Sequence, residues 1–254
     1  MLQSLKNRVE RAYAARRASA VVVGSLGRAG SSMLTRACAQ SLLGLADSRE
    51  ARQEVRRIIQ PAWSLDQVTW QRGVIYKTHD YPDSCPAPPR FARFLYTYAD
   101  PIDVVVSLAR QREVRGLAWL EKHAEHMKVT IADFDRLFVE DIFDLERHFE
   151  AWIGCTTLPL IALRYDRLWA YRELISDFLR FELHLPPYAP REALIDRLPE
   201  PSRLNIQRTY GRLRDRIAGQ PLHVSPPALA LLPRRARTLA QSSSKSPPVR
   251  KYGP

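Results

Sequence analysis

The sequence predicts an α/β fold, a mostly parallel sheet with helices on both faces. Apolar, β-branched or aromatic runs at Ala20–Gly24, Gly73–Thr78, Phe91–Tyr98 and Leu158–Leu163 alternate with segments of helical periodicity. Hydrophobic residues make up 45% of the 254, enough for a real core. The first run breaks into a glycine-rich turn and then into an apolar helical pattern, a strand–loop–helix unit.

The elements follow in order. Leu5, Val9, Tyr13 and Ala14 suggest a short amphipathic helix before the first strand, Ala20–Gly24. Ser32 to Leu45 reads as a helix ending near Gly44, and Ser48 to Ile59 as a charged helix stopped by Pro61. Gly73–Thr78 is a strand with a polar exit, Thr78-His79-Asp80-Tyr81-Pro82; the proline-rich Ser84–Arg90 is a loop; Phe91–Tyr98 is a strand. Pro101 suits the first turn of a helix over Ile102–Gln111. Helical patterns continue through Trp119–His126 and Phe138–Trp152, a strand covers Leu158–Leu163, and Asp166–Leu183 is a helix. From Pro221 the chain is rich in Pro, Ser and Arg. The expected division is therefore a domain over 1–220 and a disordered tail over 221–254.

Lys and Arg number 39 against 27 Asp and Glu, a formal charge of +12. That balance favours anionic partners, although no nucleic-acid module or aromatic–basic alternation points to a specific nucleic acid. Cys38, Cys85 and Cys155 have neither paired nor metal-ligand spacing, so a reducing, cytoplasmic setting and no metal are the expectation. No run approaches the roughly 20 apolar residues of a membrane span.

The turn Gly24-Ser25-Leu26-Gly27-Arg28-Ala29-Gly30-Ser31-Ser32 has the composition of a P-loop-like phosphate cradle. Glycines let backbone N–H groups converge, and a helix N-terminus adds the positive end of its dipole. The usual nucleotide-triphosphatase pattern needs Lys and then Ser or Thr after its last Gly; here Gly30 is followed by Ser31-Ser32. The magnesium-binding arrangement is thus missing. This loop, Lys77–His79 and Ala99–Asp103 all fall at strand exits, where parallel sheets bind ligands.

Four pieces in order carry a family resemblance: Gly27-Arg28-Ala29-Gly30-Ser31-Ser32-Met33-Leu34, Lys77-Thr78-His79-Asp80-Tyr81-Pro82, Asp100-Pro101-Ile102-Asp103-Val104-Val105-Val106-Ser107, and Leu163-Arg164-Tyr165-Asp166-Arg167-Leu168. Together they resemble the sulfotransferases, which move a sulfuryl group from 3′-phosphoadenosine 5′-phosphosulfate (PAPS) to a hydroxyl or amine. The resemblance implies PAPS as donor, no metal, and a hydroxyl acceptor on a carbohydrate, lipid or small metabolite. It implies His79 as catalytic base, with Lys77 and Arg28 stabilising the transferring group and leaving phosphate. Ala29, Gly30, Ser31 and Ser32 fall at the cradle positions, Ser107 at the 3′-phosphate serine and Tyr165 near the adenine. Ala99 stands where the family has a 3′-phosphate arginine, and Met33 where one branch has an aromatic. Arg110 or Arg112 are the candidate substitutes for that arginine; that branch's C-terminal nucleotide-closing motif is absent, and the basic stretch Arg203–Arg216 is the candidate to stand in for it.

Bland readings stand beside these. His79 can be a loop histidine bonded to Asp80, Ser107 an ordinary helix serine and Tyr165 a core residue. His123, His126, His148, His184 and His223 read as structural or solvated. The alternative functions are a P-loop phosphoryl-transfer enzyme and a non-catalytic domain that binds an anionic partner.

Overall fold

A sheet of six strands, in the order β2-β3-β1-β4-β5-β6, forms the frame of the molecule. The computed structural model describes residues 18–44, 49–85, 87–189 and 194–243. The helix expected around Leu5–Ala14 and the part of the expected tail beyond residue 243 lie outside them. The strands are β1 (Ala20–Ser25), β2 (Ile59–Pro61), β3 (Ile75–Thr78), β4 (Ala92–Tyr98), β5 (Leu160–Arg164) and β6 (Leu222–Val224). β1 to β5 run parallel, and β6 adds antiparallel to β5. The expected fold class, an α/β fold built on a mostly parallel sheet, is the one observed.

β1 sits centrally because every residue of Ala-Val-Val-Val-Gly-Ser is buried. Such a run has no face to offer to water and needs a layer on each side. The side chains alternate between two cores. Ala20 and Val22 join Phe94, Tyr96 and Trp152 on one face; Val21 and Val23 join Leu95, Ile161 and Phe178 on the other.

The described helices are α1 (Ser31–Leu43), α2 (Arg49–Ile58), α3 (Pro101–Arg115), α4 (Leu117–His126), α5 (Leu145–Ile153), α6 (Arg172–Leu179), α7 (Glu200–Gly219), α8 (Pro226–Leu231) and α9 (Arg234–Ser243). Pro101 does occupy the first turn of α3, whose N-cap Asp100 accepts a hydrogen bond from the Ile102 N–H at 2.9 Å. None of the described helices is long and apolar enough to cross a membrane.

Some expected boundaries need correction. The helix read over Phe138–Trp152 is a 3₁₀ turn, Phe134–Phe138, followed by α5 from Leu145. Asp141 causes the break: its carboxylate accepts from Leu145 N at 3.0 Å and Glu146 N at 2.9 Å and so starts the helix afresh. The helix read over Asp166–Leu183 shortens to α6, which ends where Arg180 turns left-handed at φ 65°.

The tail assignment fails over residues 222–243. β6 pairs with β5, and Ser225 bonds into it, its Oγ donating to Leu158 O at 2.6 Å and accepting from Leu160 N at 2.9 Å. Ala228, Leu232, Ala236 and Ala240 are then buried in the second core. The prolines that suggested disorder cap helices instead: Pro226 lies in the first turn of α8.

β1 and β4 are neighbours, but the chain leaving β1 goes to β2 and β3, whereas the chain leaving β4 goes to β5 on the other side. Their carboxyl ends therefore form the topological switch point, where open parallel sheets bind ligands.

Candidate functional site

The β1–α1 loop opens at the switch point. Leu26 N–H donates to Thr97 O at 3.1 Å, holding the loop's start against β4. Beyond it Gly27 (φ 78°), Arg28 (φ 47°) and Gly30 (φ 84°) are left-handed. Gly30 is required for a second reason as well, since a Cβ there would lie 2.3 Å from the Tyr165 ring. Gly30 also caps α1 without any side-chain hydrogen bond, and the first turn of α1 holds no acidic residue. The helix thus presents N–H groups and its positive end to the loop.

Cations gather on the same side. Arg28 Nε donates to Ser107 Oγ at 2.9 Å, and Lys77 Nζ donates to Ser32 Oγ at 2.9 Å. Burial, and then the nearby Arg28 charge, push the Lys77 ammonium below its usual pKa. Two like charges held close beside a helix N-terminus favour an anion between them. Arg28, Ser32, Lys77 and Ser107, far apart in sequence, are therefore brought together. Ala29 is fully buried and Ser31 nearly so, which leaves their backbone rather than their side chains for the cradle.

His79 is the first residue after β3 and is only 5% exposed. Its Nδ1 lies 3.1 Å from Ser25 O and 3.2 Å from Ser25 Oγ. A carbonyl only accepts, so Nδ1 carries the proton and Nε2 keeps its lone pair. Burial, reinforced by His123, Lys77 and His148, holds the imidazole well below its ordinary pKa and therefore neutral. The bond to Asp80 that a bland reading suggested is not the one formed. Asp80 instead accepts from Leu65 N at 2.8 Å, Tyr81 N at 2.9 Å and Ser84 Oγ at 3.1 Å. The strand exit is pinned further by His148 Nε2 donating to His79 O and Trp152 Nε1 donating to Asp80 O, both at 3.0 Å. His148 is structural, as read.

The sequence reading passed over two groups here. His123 meets His79 edge-on, ring centroids 5.4 Å apart, and its Nε2 would lie 3.0 Å from a Cβ at Gly27. Trp63, 37% exposed, stacks on His126 at 3.7 Å with the planes 2° apart and lies 6.4 Å from the His79 ring. No local pattern marks these residues; only the fold brings α4 and the β2–β3 connection over the β3 exit.

On the other side of the loop lies a cavity of about 400 Å³, lined by Ala99, Asp100, Arg164, Tyr165, Tyr188 and Arg214 among others. Arg164 forms a double hydrogen bond with Asp166 at 2.7 and 2.8 Å, and Arg214 pairs with Asp100 at 2.9 Å. Of the substitutes weighed for the residue missing at Ala99, Arg112 is held by Asp135 at 2.6 Å. Arg214, from the basic stretch read as a stand-in for the closing motif, is carried by α7 to the cavity beside Ala99. The sequence reading missed that helix, although Ile206, Tyr210, Leu213 and Ile217, all buried on one face, carry its spacing. Met33 lines a separate groove of about 780 Å³ with Ser32, Arg36 and His184. Among the described residues no group of three or more His, Cys, Asp or Glu side chains could hold a metal ion.

Comparison with protein-family models and with curated protein sequences finds no match to this chain.

Proposed function

We propose that the chain transfers a sulfuryl group from PAPS to a hydroxyl acceptor. The observation that carries this reading is the convergence of Arg28, Lys77, Ser32 and Ser107 on an uncapped helix N-terminus, with His79 at the adjoining strand exit. The donor set suits the cofactor. Arginine, lysine, hydroxyls and backbone N–H groups all donate to oxyanions, and the left-handed loop keeps side chains out of the space in front of α1.

PAPS would supply an activated sulfuryl group on a stabilised leaving phosphate. Arg28 and Lys77 would hold fixed positive charge where negative charge shifts during transfer. Ser32 and Ser107 keep these cations oriented. His79, its Nδ1 proton committed to Ser25, would take the acceptor's hydroxyl proton on Nε2. The Trp63–His126 stack offers a flat apolar surface near that imidazole for a ring-bearing acceptor. Arg164 and Arg214 are the nearby cations that stand beside Ala99.

A non-catalytic anion-binding domain is the second reading, favoured by the depth of His79 and by Ala99. One experiment separates the two. Calorimetry with 3′-phosphoadenosine 5′-phosphate should show binding that disappears in Arg28→Ala. A radiolabelled transfer assay over a panel of hydroxyl acceptors should then show turnover. Absence of turnover on every acceptor, with or without nucleotide binding, removes the transfer reading and favours the second.

A further inference from the structure

A second basic cluster lies at the opposite end of the sheet. The strands β1 and β4 begin there, about 20 Å from the cradle by the length of a six-residue strand. A cavity of about 430 Å³ is lined by Arg72, Arg90, Arg93 and Arg180, with Phe91 and Phe181 adding apolar wall. Among the described residues, no acidic side chain lines it. Asp177, on the helix that precedes Arg180, is directed to Arg235 at 3.7 Å.

Arg93 is the anomaly. It is the second residue of β4, pairs in register with the fully buried Val21, and is itself only 3% exposed. The neighbouring strand positions on its face, Val21 and Leu95, are apolar core. Its Nη1 donates to Arg90 O at 3.0 Å and Ala92 O at 2.7 Å, and its Cζ lies 5.8 Å from the centre of the Phe178 ring. Its Nε is buried and has no partner among the described residues. Burial, then Arg180 and Arg72, push its pKa down. Arg72 is engaged nearby, with its Cζ 4.4 Å above Phe91 and Nη1 donating to Ala18 O at 3.5 Å.

A buried guanidinium with an orphan donor, surrounded by like charge, is costly unless an anion compensates it. Guanidinium forks suit tetrahedral oxyanions in particular. We propose that this cavity is a second anion site, taking a small ligand that carries two or more phosphate or sulfate groups. Several arginines around one space larger than a single oxyanion argue for the polyvalent ligand. The site is separate from the cradle and does not depend on the sulfuryl-transfer reading.

The test is titration calorimetry of the full chain with inorganic pyrophosphate, and with sulfate in a parallel arm. In Arg28→Ala, which disables the cradle, pyrophosphate binding should persist. Adding Arg90→Ala and Arg180→Asn to that background should weaken it by about tenfold or more, the loss expected when charge-assisted bonds are removed. Asn tolerates the left-handed backbone of residue 180, so the fold is spared. If the combined variant still fails to fold, Arg90→Ala alone in the Arg28→Ala background decides, because Arg90 is an exposed loop residue. Unchanged pyrophosphate binding after these substitutions, or no binding in Arg28→Ala, overturns the site. Sulfate binding as tightly as pyrophosphate overturns the polyvalent assignment.

Discussion

The cations around the β1–α1 loop and those of the cavity beside Ala99 lie at the same sheet edge but hold different partners. Arg28 and Lys77 are bonded to hydroxyls, Ser107 and Ser32. Arg164 and Arg214 are bonded to carboxylates, Asp166 and Asp100. A hydroxyl orients a cation and leaves its charge in place, whereas a carboxylate cancels it. In the cavity beside Ala99 an anion must compete with Asp100 for Arg214 and with Asp166 for Arg164. The difference means that an arginine beside Ala99 can answer an anion only by giving up a carboxylate.

The largest expected effect breaks the chemistry while leaving the anchor intact. His79→Ala should lower sulfuryl transfer by roughly 100-fold or more, the usual worth of a general base, while nucleotide binding stays close to wild type by calorimetry. Equal turnover in the two proteins would remove His79 as the base. Because burial holds the imidazole neutral, the rate should show no acid limb at the ordinary histidine pKa of 6.5. A pH–rate profile rising through 6.5 would contradict the burial.

Breaking the anchor comes next. Arg28→Ala should weaken nucleotide binding by about 10- to 100-fold and abolish ligand-induced thermal stabilisation, as loss of a charge-assisted contact predicts. Ser107→Ala, which leaves the charge but not its orientation, should cost less, about tenfold at most. If the two variants bind alike, orientation rather than charge is what the loop supplies.

The buried histidines near the β3 exit predict a stability change that needs no ligand. His123 and His148 are both pushed by burial down to about 4, and His79 is also lowered. The unfolded chain takes up protons near 6.5, before the folded one does. Stability is therefore complete above that pH and falls as pH drops from 6.5 toward 4. Chemical denaturation should show a falling midpoint over this window. His148→Gln should flatten part of the fall, and an unchanged slope would mean that carboxylates dominate it.

The smallest effect sharpens the comparison. Asp100→Asn keeps an oxygen to cap α3 but releases Arg214 from its ion pair. Nucleotides carrying a 3′-phosphate should bind a few-fold more tightly, and those lacking it should not change. Ala99→Arg should act in the same direction, since residue 99 borders an open cavity. No gain in either variant would place the 3′-phosphate elsewhere.

Much of this was legible in the residues. The all-apolar β1, the glycine-rich turn after it, Pro101 at a helix start and the polar strand exits are local signals, and local steric and capping chemistry dictates them wherever they occur. From these the sequence alone determined the α/β class and the loop, while Arg28, Lys77, His79 and Ser107 became candidates through the family resemblance. Tertiary structure decided what no local window contains. It placed Lys77 on Ser32 and Arg28 on Ser107, fixed the His79 proton through Ser25, and brought His123 and Trp63 to the same exit. It also drew residues 222–243 into the sheet and core despite a composition that reads as a tail. The reason is physical. Composition and periodicity report the conformation that each segment prefers. Which cation meets which partner depends on strand order and helix packing, which are set by burial summed over the whole chain.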